Sequence, residues 1–312
     1  MDYPAPLVIQ PRTLPHKHTL ILLHGRGSSG EKFGRALLET PIPIPPGGIP
    51  TTGTSSTPSP TTTLDQVFPH ARFVFPTAAH RRATLYRRAK THQWFDNWEL
   101  VPPATFREEL QSPGLQETTG YIHGLIRAEI ADVPGGASDV VVGGLSQGCA
   151  ASLIAMLLWE GEPLGAVVGM CGFLPFCTRL LEQSDLGDAA GGDSNETEGD
   201  DAFDPFEREE DDSDPDSQDP AMRAVSWLRE EIQGPASSPR PTDIVFRKIP
   251  AFLGHGSEDA QVSVILGRNA SLCLRSAGID VSWREYESLG HWYSGPMLRD
   301  LVEFLQAKTN LE

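Results

Sequence analysis

Short runs of consecutive apolar residues recur along the chain, each followed by a stretch whose apolar positions repeat with a helical period. Thr19-Leu20-Ile21-Leu22-Leu23, Arg72-Phe73-Val74-Phe75, Val140-Val141-Val142-Gly143 and Ala166-Val167-Val168-Gly169-Met170 have no polar alternation. Strands of a parallel sheet, buried on both faces, read this way. Leu7-Val8-Ile9 predicts a short first strand, Ile249 to Asp259 a strand ending in a turn with acids at its tip, and Val281-Ser282-Trp283-Arg284-Glu285-Tyr286 an alternating last strand. Helical spacing predicts helices over 31–38, 104–111, 116–130, 150–159, 221–232, 262–276 and 296–306. In the third of these, Tyr121, Ile122, Leu125, Ile126 and Ile130 form an apolar stripe that reads as core. Strand and helix in alternation predict an α/β fold, a mostly parallel central sheet with helices on both faces. Functional groups of such sheets gather at the carboxyl ends of the strands.

Two stretches break the pattern. Residues 41–63 hold seven prolines and seven threonines, and residues 182–219 hold 17 Asp or Glu against one base, Arg208. Neither has the apolar content to bury a face, so both are expected to be disordered insertions in a single domain spanning 1–312. A Pro/Ser-rich loop is expected at 234–242. The acidic stretch accounts for nearly all of the chain's net charge of −17, so the domain itself is close to neutral. No basic stripe offsets the acidity, which argues against a nucleic-acid partner. The acidic stretch also lacks the Asp-x-Asp-x-Asp-Gly loop of a calcium site. Residues 80–90 carry Arg81, Arg82, Arg87, Arg88 and Lys90 and read as a solvated loop that could attract the acidic insertion.

Four cysteines, Cys149, Cys171, Cys177 and Cys273, lack metal-ligand spacing, so no metal is expected. The first two sit in apolar runs and read as buried thiols of a reducing compartment. The amino terminus has neither the basic nor the apolar segment of a secretion signal. The longest apolar run, Cys149 to Trp159, is too short to cross a bilayer. These features predict a cytoplasmic protein without a transmembrane segment.

The chemistry concentrates on Gly144-Leu145-Ser146-Gln147-Gly148, where the strand period gives way to the helix period. A serine at a sharp strand-to-helix turn has its hydroxyl exposed at the top of the sheet, and the glycines let strand and helix approach closely. Two further side chains fall at carboxyl ends of strands, Asp259 in His255-Gly256-Ser257-Glu258-Asp259 and His291 in Leu289-Gly290-His291-Trp292. Their order, Ser then Asp then His, is that of the hydrolase triad on an α/β sheet. Glu258 and His255 are weaker competitors, and Asp139 stands at the wrong end of the serine's strand. His24-Gly25-Arg26-Gly27-Ser28-Ser29-Gly30 lacks the spacing of either nucleotide-binding glycine motif. It reads as a loop whose N–H groups point into a site, with His24 satisfied within the turn. The aromatic loop Gln93-Trp94-Phe95-Asp96-Asn97-Trp98 either packs under a lid or lines an acyl pocket.

These elements together resemble the phospholipase/carboxylesterase family, which includes acyl-protein thioesterases. The matching residues are Leu23-His24-Gly25-Arg26-Gly27, Trp94-Phe95-Asp96, Gly144 to Gly148, Gly172-Phe173-Leu174-Pro175, His255 to Asp259 with Val262, and Gly290-His291. The resemblance implies an α/β-hydrolase fold with Ser146, Asp259 and His291 as the catalytic triad. It also implies an oxyanion hole from the backbone N–H groups of Arg26 and Gln147. The family's first turn usually reads His-Gly-Leu-Gly-Asp, and here Arg26 and Ser28 stand in place of Leu and Asp. A backbone donor tolerates that change, whereas the substrate mouth feels it.

The expected reaction is serine hydrolysis of a carboxylic ester or thioester through an acyl-enzyme on Ser146, with no cofactor. Trp94, Phe95, Leu174 and Trp292 are the expected acyl-pocket residues. Acylated proteins and lysophospholipids present the same carbonyl and stand as candidate substrates. Two other readings are a catalytically silent hydrolase fold that binds partners through the acidic segment, and a peptidase. Failure of Ser146 to take a fluorophosphonate marks the former. Preference for an anilide over an ester marks the latter.

Overall fold

The computed structural model describes residues 2–44, 60–190, 219–234 and 244–311, with backbone alone for 185–190. Strands β1 (Leu7–Ile9), β2 (His18–Leu23), β5 (Ala71–Phe75), β8 (Val140–Leu145), β9 (Ala166–Met170), β10 (Ala251–Gly256) and β11 (Val281–Tyr286) make one sheet. Two short ladders stand apart from it, β3 (Ile42–Pro43) with β4 (Thr61–Thr62) and β6 (His80–Ala83) with β7 (Ala89–His92). The strand order is β1-β5-β2-β8-β9-β10-β11, with β1 antiparallel and all other neighbours parallel.

The helices are α1 (Gly30–Glu39), α2 (Leu64–Val67), α3 (Ser112–Ile130), α4 (Gln147–Leu157), α5 (Cys177–Ala190), α6 (Pro220–Gln233), α7 (Val264–Ser276) and α8 (Gly295–Lys308). Alternate residues of each strand serve opposite cores. Ile21, Leu23, Val140, Val142 and Leu253 face α3, α4, α6 and α7, while Leu20, Leu22, Val141, Val168 and Phe252 face α1, α2 and α8. Side chains of this size contribute about 1.5–3 kcal/mol each when fully buried. Helix α4 has all 11 of its residues buried, which explains why its sequence is apolar on every side.

Several expectations needed correction. Residues 80–90 form the β6–β7 hairpin instead of a loop. Its inward positions are Arg81 and Ala83, and Arg81 pairs with Glu117 at 2.7 Å, so a buried arginine hides the period of two. Residues 104–111 are not an α-helix. Ala104 and Arg107 adopt left-handed φ of 64° and 60°, leaving one turn of 3-10 helix at Glu108–Leu110 before Pro113 starts α3.

The two insertions are structured at their margins. Ile42 is buried in the second core and pairs across to Thr62. The acidic stretch begins inside α5, which Leu180 anchors in the first core, and ends at Asp219. Asp219 caps α6 by accepting from Ala221 N at 2.9 Å, and it grips both terminal nitrogens of Arg247 at 2.7 and 2.8 Å. Their interiors, 45–59 and 191–218, lie outside the described residues, as does the Pro/Ser-rich loop from 235 to 243.

Candidate active site

Three loops at the carboxyl ends of β8, β10 and β11 converge on one point. Ser146 sits between β8 and α4 with φ 58° and ψ −120°, a conformation costly for any residue with a Cβ. Its N–H donates to Met170 O at 2.8 Å, which ties the turn to β9. The turn is possible only because Gly144 and Gly148 carry no side chain: a Cβ at either would lie 2.4 or 2.3 Å from Leu23 O. The Gly-x-Ser-x-Gly spacing is thus a packing requirement of β2 against the turn.

His291 Nε2 lies 2.9 Å from Ser146 Oγ, and its Nδ1 lies 2.7 Å from Asp259 Oδ2. A carboxylate only accepts, so the Nδ1 proton faces Asp259 and Nε2 is left to accept from the serine hydroxyl. Asp259 is buried and fully engaged. Oδ1 accepts from Gln261 N at 2.9 Å and Val262 N at 2.8 Å, and His255 Nε2 stands 3.2 Å from Oδ2. Burial alone raises a carboxyl pKa, but the hydrogen bonds from His255, His291 and Val262 N outweigh it and hold Asp259 well below the usual carboxylate range.

His255 is fully buried, and its Nε2–H is shared between Asp259 and Val262 O, the latter at 2.9 Å. Its sequence context makes it only a weak rival for a triad position; the structure places it behind Asp259. Cys171 is a second residue whose part was not legible. It has a left-handed φ of 47°, and its thiol donates to Trp292 O at 3.2 Å, holding the loop that carries His291. Burial pushes that thiol up to about 12, so it remains a donor.

Of the two expected backbone donors, the Gln147 N–H opens α4, where a helix has no acceptor of its own to offer. In the neighbouring turn Gly27 N donates to His92 O and Ser28 N to Gly25 O, while the Arg26 N–H has no acceptor among the described residues. The Gln147 side chain carries its own load. Its Oε1 accepts from Trp94 N at 2.9 Å, and its Nε2 donates to Phe95 O at 2.8 Å and Asn97 Oδ1 at 3.0 Å. His24 donates from Nδ1 to Gly25 O and accepts at Nε2 from Ala78 N, and burial lowers its pKa to about 4. It is a neutral strut beneath the turn.

A cavity of about 530 Å³ opens over Ser146, lined by Phe33, Leu85, Leu100, Phe173 and Val262 among apolar groups, with Arg26, Asn97, Glu99 and Gln261 among polar ones. Of the four expected acyl-pocket residues only Trp292 lines it, half exposed at its mouth. Trp94 and Phe95 are fully buried in the core, where Trp94 Nε1 donates to His24 O at 2.8 Å. Leu174 lines a separate small cavity beside Glu108 and Gln111. The loop faces inward because the Gln147 side chain binds its backbone at Trp94 and Phe95; the lining falls instead to Trp98, Tyr86 and Leu85. Among the described residues no group of three or more His, Cys, Asp or Glu could hold a metal ion, and no helix is long and apolar enough to cross a membrane.

A family model described as Phospholipase/Carboxylesterase matches residues 53–187 and 232–309. Acyl-protein thioesterase 1 of Yarrowia lipolytica is 31% identical over 181 residues, covering 58% of this chain and 67% of that protein. For acyl-protein thioesterase 1 of Schizosaccharomyces pombe the identity is 29%, over 56% of this chain and 63% of the relative, so the chain spans about two thirds of the length of these relatives. A protein of the same name from Gibberella zeae aligns over 97% of this chain and 94% of its own length at 24% identity. Among solved structures, Zea mays acyl-protein thioesterase 2 superposes with a TM-score of 0.59 at 19% identity, covering 97% of this chain and 98% of that one. Esterase PE8 gives the same TM-score at 18% identity, over 99% and 100% of the two chains. The fold is the α/β-hydrolase fold that the family resemblance implies, built on the mostly parallel sheet expected from the strand and helix pattern.

Proposed function

The chain belongs to the phospholipase/carboxylesterase family, and from that premise we propose that it hydrolyses carboxylic esters or thioesters through an acyl-enzyme on Ser146. The observation that carries this reading is the unbroken hydrogen-bond chain from Ser146 Oγ through His291 to the buried Asp259, at 2.9 and 2.7 Å. A serine hydroxyl is a weak nucleophile near neutral pH and needs a base within hydrogen-bond reach. His291 takes its proton as the oxygen attacks the carbonyl, and Asp259 fixes the tautomer and stabilises the imidazolium. The N–H groups of Gln147 and Arg26 receive the developing oxyanion; losing one such donor costs on the order of 100- to 1000-fold in rate. His291 then protonates the leaving alcohol or thiol, and water activated by the same imidazole releases the acid.

The apolar part of the cavity suits an acyl chain, and the relatives named acyl-protein thioesterase make an S-acylated protein the first thioester to try. Lysophospholipids come next. The four free cysteines, three of them buried, fit a reducing compartment such as the cytoplasm. The test is hydrolysis of p-nitrophenyl esters from acetyl to palmitoyl, with fluorophosphonate labelling, by wild type and Ser146→Ala. Turnover and labelling that both vanish in the variant support the reading. A folded wild type that neither turns over nor labels overturns it and favours a binding role for the fold.

A further inference from the structure

Arg26 stands in the oxyanion turn with its side chain lining the cavity over Ser146. Its guanidinium carbon lies 5.7 Å from the centre of the Tyr86 ring, and its Nε is buried with no hydrogen-bond partner. Several arginines elsewhere in the fold meet carboxylates: Arg72 with Glu129 and Asp132, Arg81 with Glu117, Arg247 with Asp219, Arg268 with Glu285. Arg26 meets none among the described residues. The nearby acids do not supply one. Asp96 is occupied by the N–H and hydroxyl of Thr84, at 3.0 Å from the former, and Glu99 lines the cavity from an exposed position without pairing to Arg26. A half-buried cation with an unmet donor, beside an aromatic ring and lining the cavity over the serine, is a binding element lacking its counter-charge.

We infer that Arg26 is a specificity-determining residue that receives an anionic group, a carboxylate or phosphate, carried by the ester or thioester a few bonds from the scissile carbonyl. This rests on the reading of Ser146 as an esterase nucleophile. The planar fork of the guanidinium offers paired donors to such a group, and the cation–π contact with Tyr86 holds it at the cavity wall. The hairpin that bears Tyr86 also carries Arg82, Arg87, Arg88 and Lys90, a local excess of positive charge that favours the approach of anions. A charge-assisted contact of this kind is worth on the order of 10- to 100-fold in kcat/KM.

The experiment compares matched pairs. In one arm the acyl side carries the charge: p-nitrophenyl hydrogen glutarate against p-nitrophenyl pentanoate. In the other the leaving group carries it: butanoyl thioesters of 3-mercaptopropionate against 2-mercaptoethanol. A phosphate-bearing thiol extends the second arm to the other anion. Wild type is expected to favour the anionic member at least about tenfold in one arm, which identifies the side of the bond. That ratio should shrink with added salt, fall toward one in Arg26→Leu and persist in part in Arg26→Lys. Ratios near one in both arms, or a preference that survives Arg26→Leu, overturn the proposal. Binding of the same pairs to Ser146→Ala, followed by the fluorescence of Trp98 and Trp292 in the cavity wall, separates the two readings. An Arg26-dependent binding ratio without any wild-type turnover keeps the anion site and sinks the esterase.

Discussion

Replacing Gln147 by leucine tests whether the side chain following the serine is a structural clip as well as a backbone donor. Leucine keeps roughly the volume and helix propensity but removes the hydrogen bonds to Trp94 N, Phe95 O and Asn97 Oδ1, which span 2.8 to 3.0 Å in a fully buried place. It leaves an N–H and a C=O of the 94–95 backbone without partners, each costing about 1–3 kcal/mol. Some relaxation of the loop recovers part of that, so the expected loss is about 3–4 kcal/mol, a large share of the ~5–15 kcal/mol that holds a domain together. Freed of its clip, the loop carrying Asn97 and Trp98 moves the cavity wall away from Ser146. Turnover on short esters should fall at least about tenfold although the Gln147 N–H is retained. Urea unfolding followed by tryptophan fluorescence gives the first number, and p-nitrophenyl acetate kinetics on the still-folded variant the second. A stability change below about 1 kcal/mol would refute the clip, because two buried backbone groups cannot lose their partners at so small a cost.

Three other changes probe separate parts of the molecule. His255→Phe keeps a ring against Trp283 but removes the donor shared by Asp259 and Val262 O; kcat should fall about tenfold with KM little changed as Asp259 loses a partner that orients it toward His291, and an unchanged kcat would exclude His255 from positioning the acid. Burial pushes Glu108 up to about 7 despite Arg179 at 3.2 Å, so its folded pKa exceeds the ordinary 4.5 and stability is lost as pH rises between the two. Glu108→Gln should therefore stabilise the protein by about 2 kcal/mol near pH 8, with the gain fading toward pH 5, as read by denaturant midpoints across pH. His24 acts with the opposite sign: burial lowers its pKa from 6.5 to about 4, so stability is lost as pH falls through that window, and the Gln variant should expose this slope unmasked. Replacing 191–218 by a Gly/Ser linker should leave the melting temperature and esterase activity close to wild type, whereas removing Asp219 with it should cost about 1–2 kcal/mol through the lost cap and Arg247 pair. A large loss from the first deletion alone would make the acidic interior part of the fold.

The elements that were legible share one property: their periodicity is written in apolar residues. The buried strands β2, β8 and β9 and the helices behind them follow directly from runs such as Val140-Val141-Val142, and the order Ser146, Asp259, His291 follows from which strand each residue ends. The β6–β7 hairpin escaped because its inward face is Arg81, which Glu117 neutralises from α3; a charge satisfied across 36 positions leaves no mark on local patterning. The lining of the cavity over Ser146 escaped for the converse reason. Trp94 and Phe95 look like lining because they are aromatic and sit in a loop, yet the polar residue Gln147 pulls their backbone inward and commits both rings to the core. Which side chains face substrate is therefore decided by hydrogen bonds between backbone and side chain, not by hydrophobicity. Arg26 completes the point. Sequence shows only that a cation replaces an apolar residue in the turn; its orphaned Nε and its place on Tyr86 emerge once the hairpin and the turn are folded together, with Gly27 N bonded to His92 O at 2.8 Å. The same bond ties the hairpin to the turn proposed to hold the oxyanion, since any displacement of the hairpin that moves Tyr86 also pulls on Gly27, the residue after Arg26.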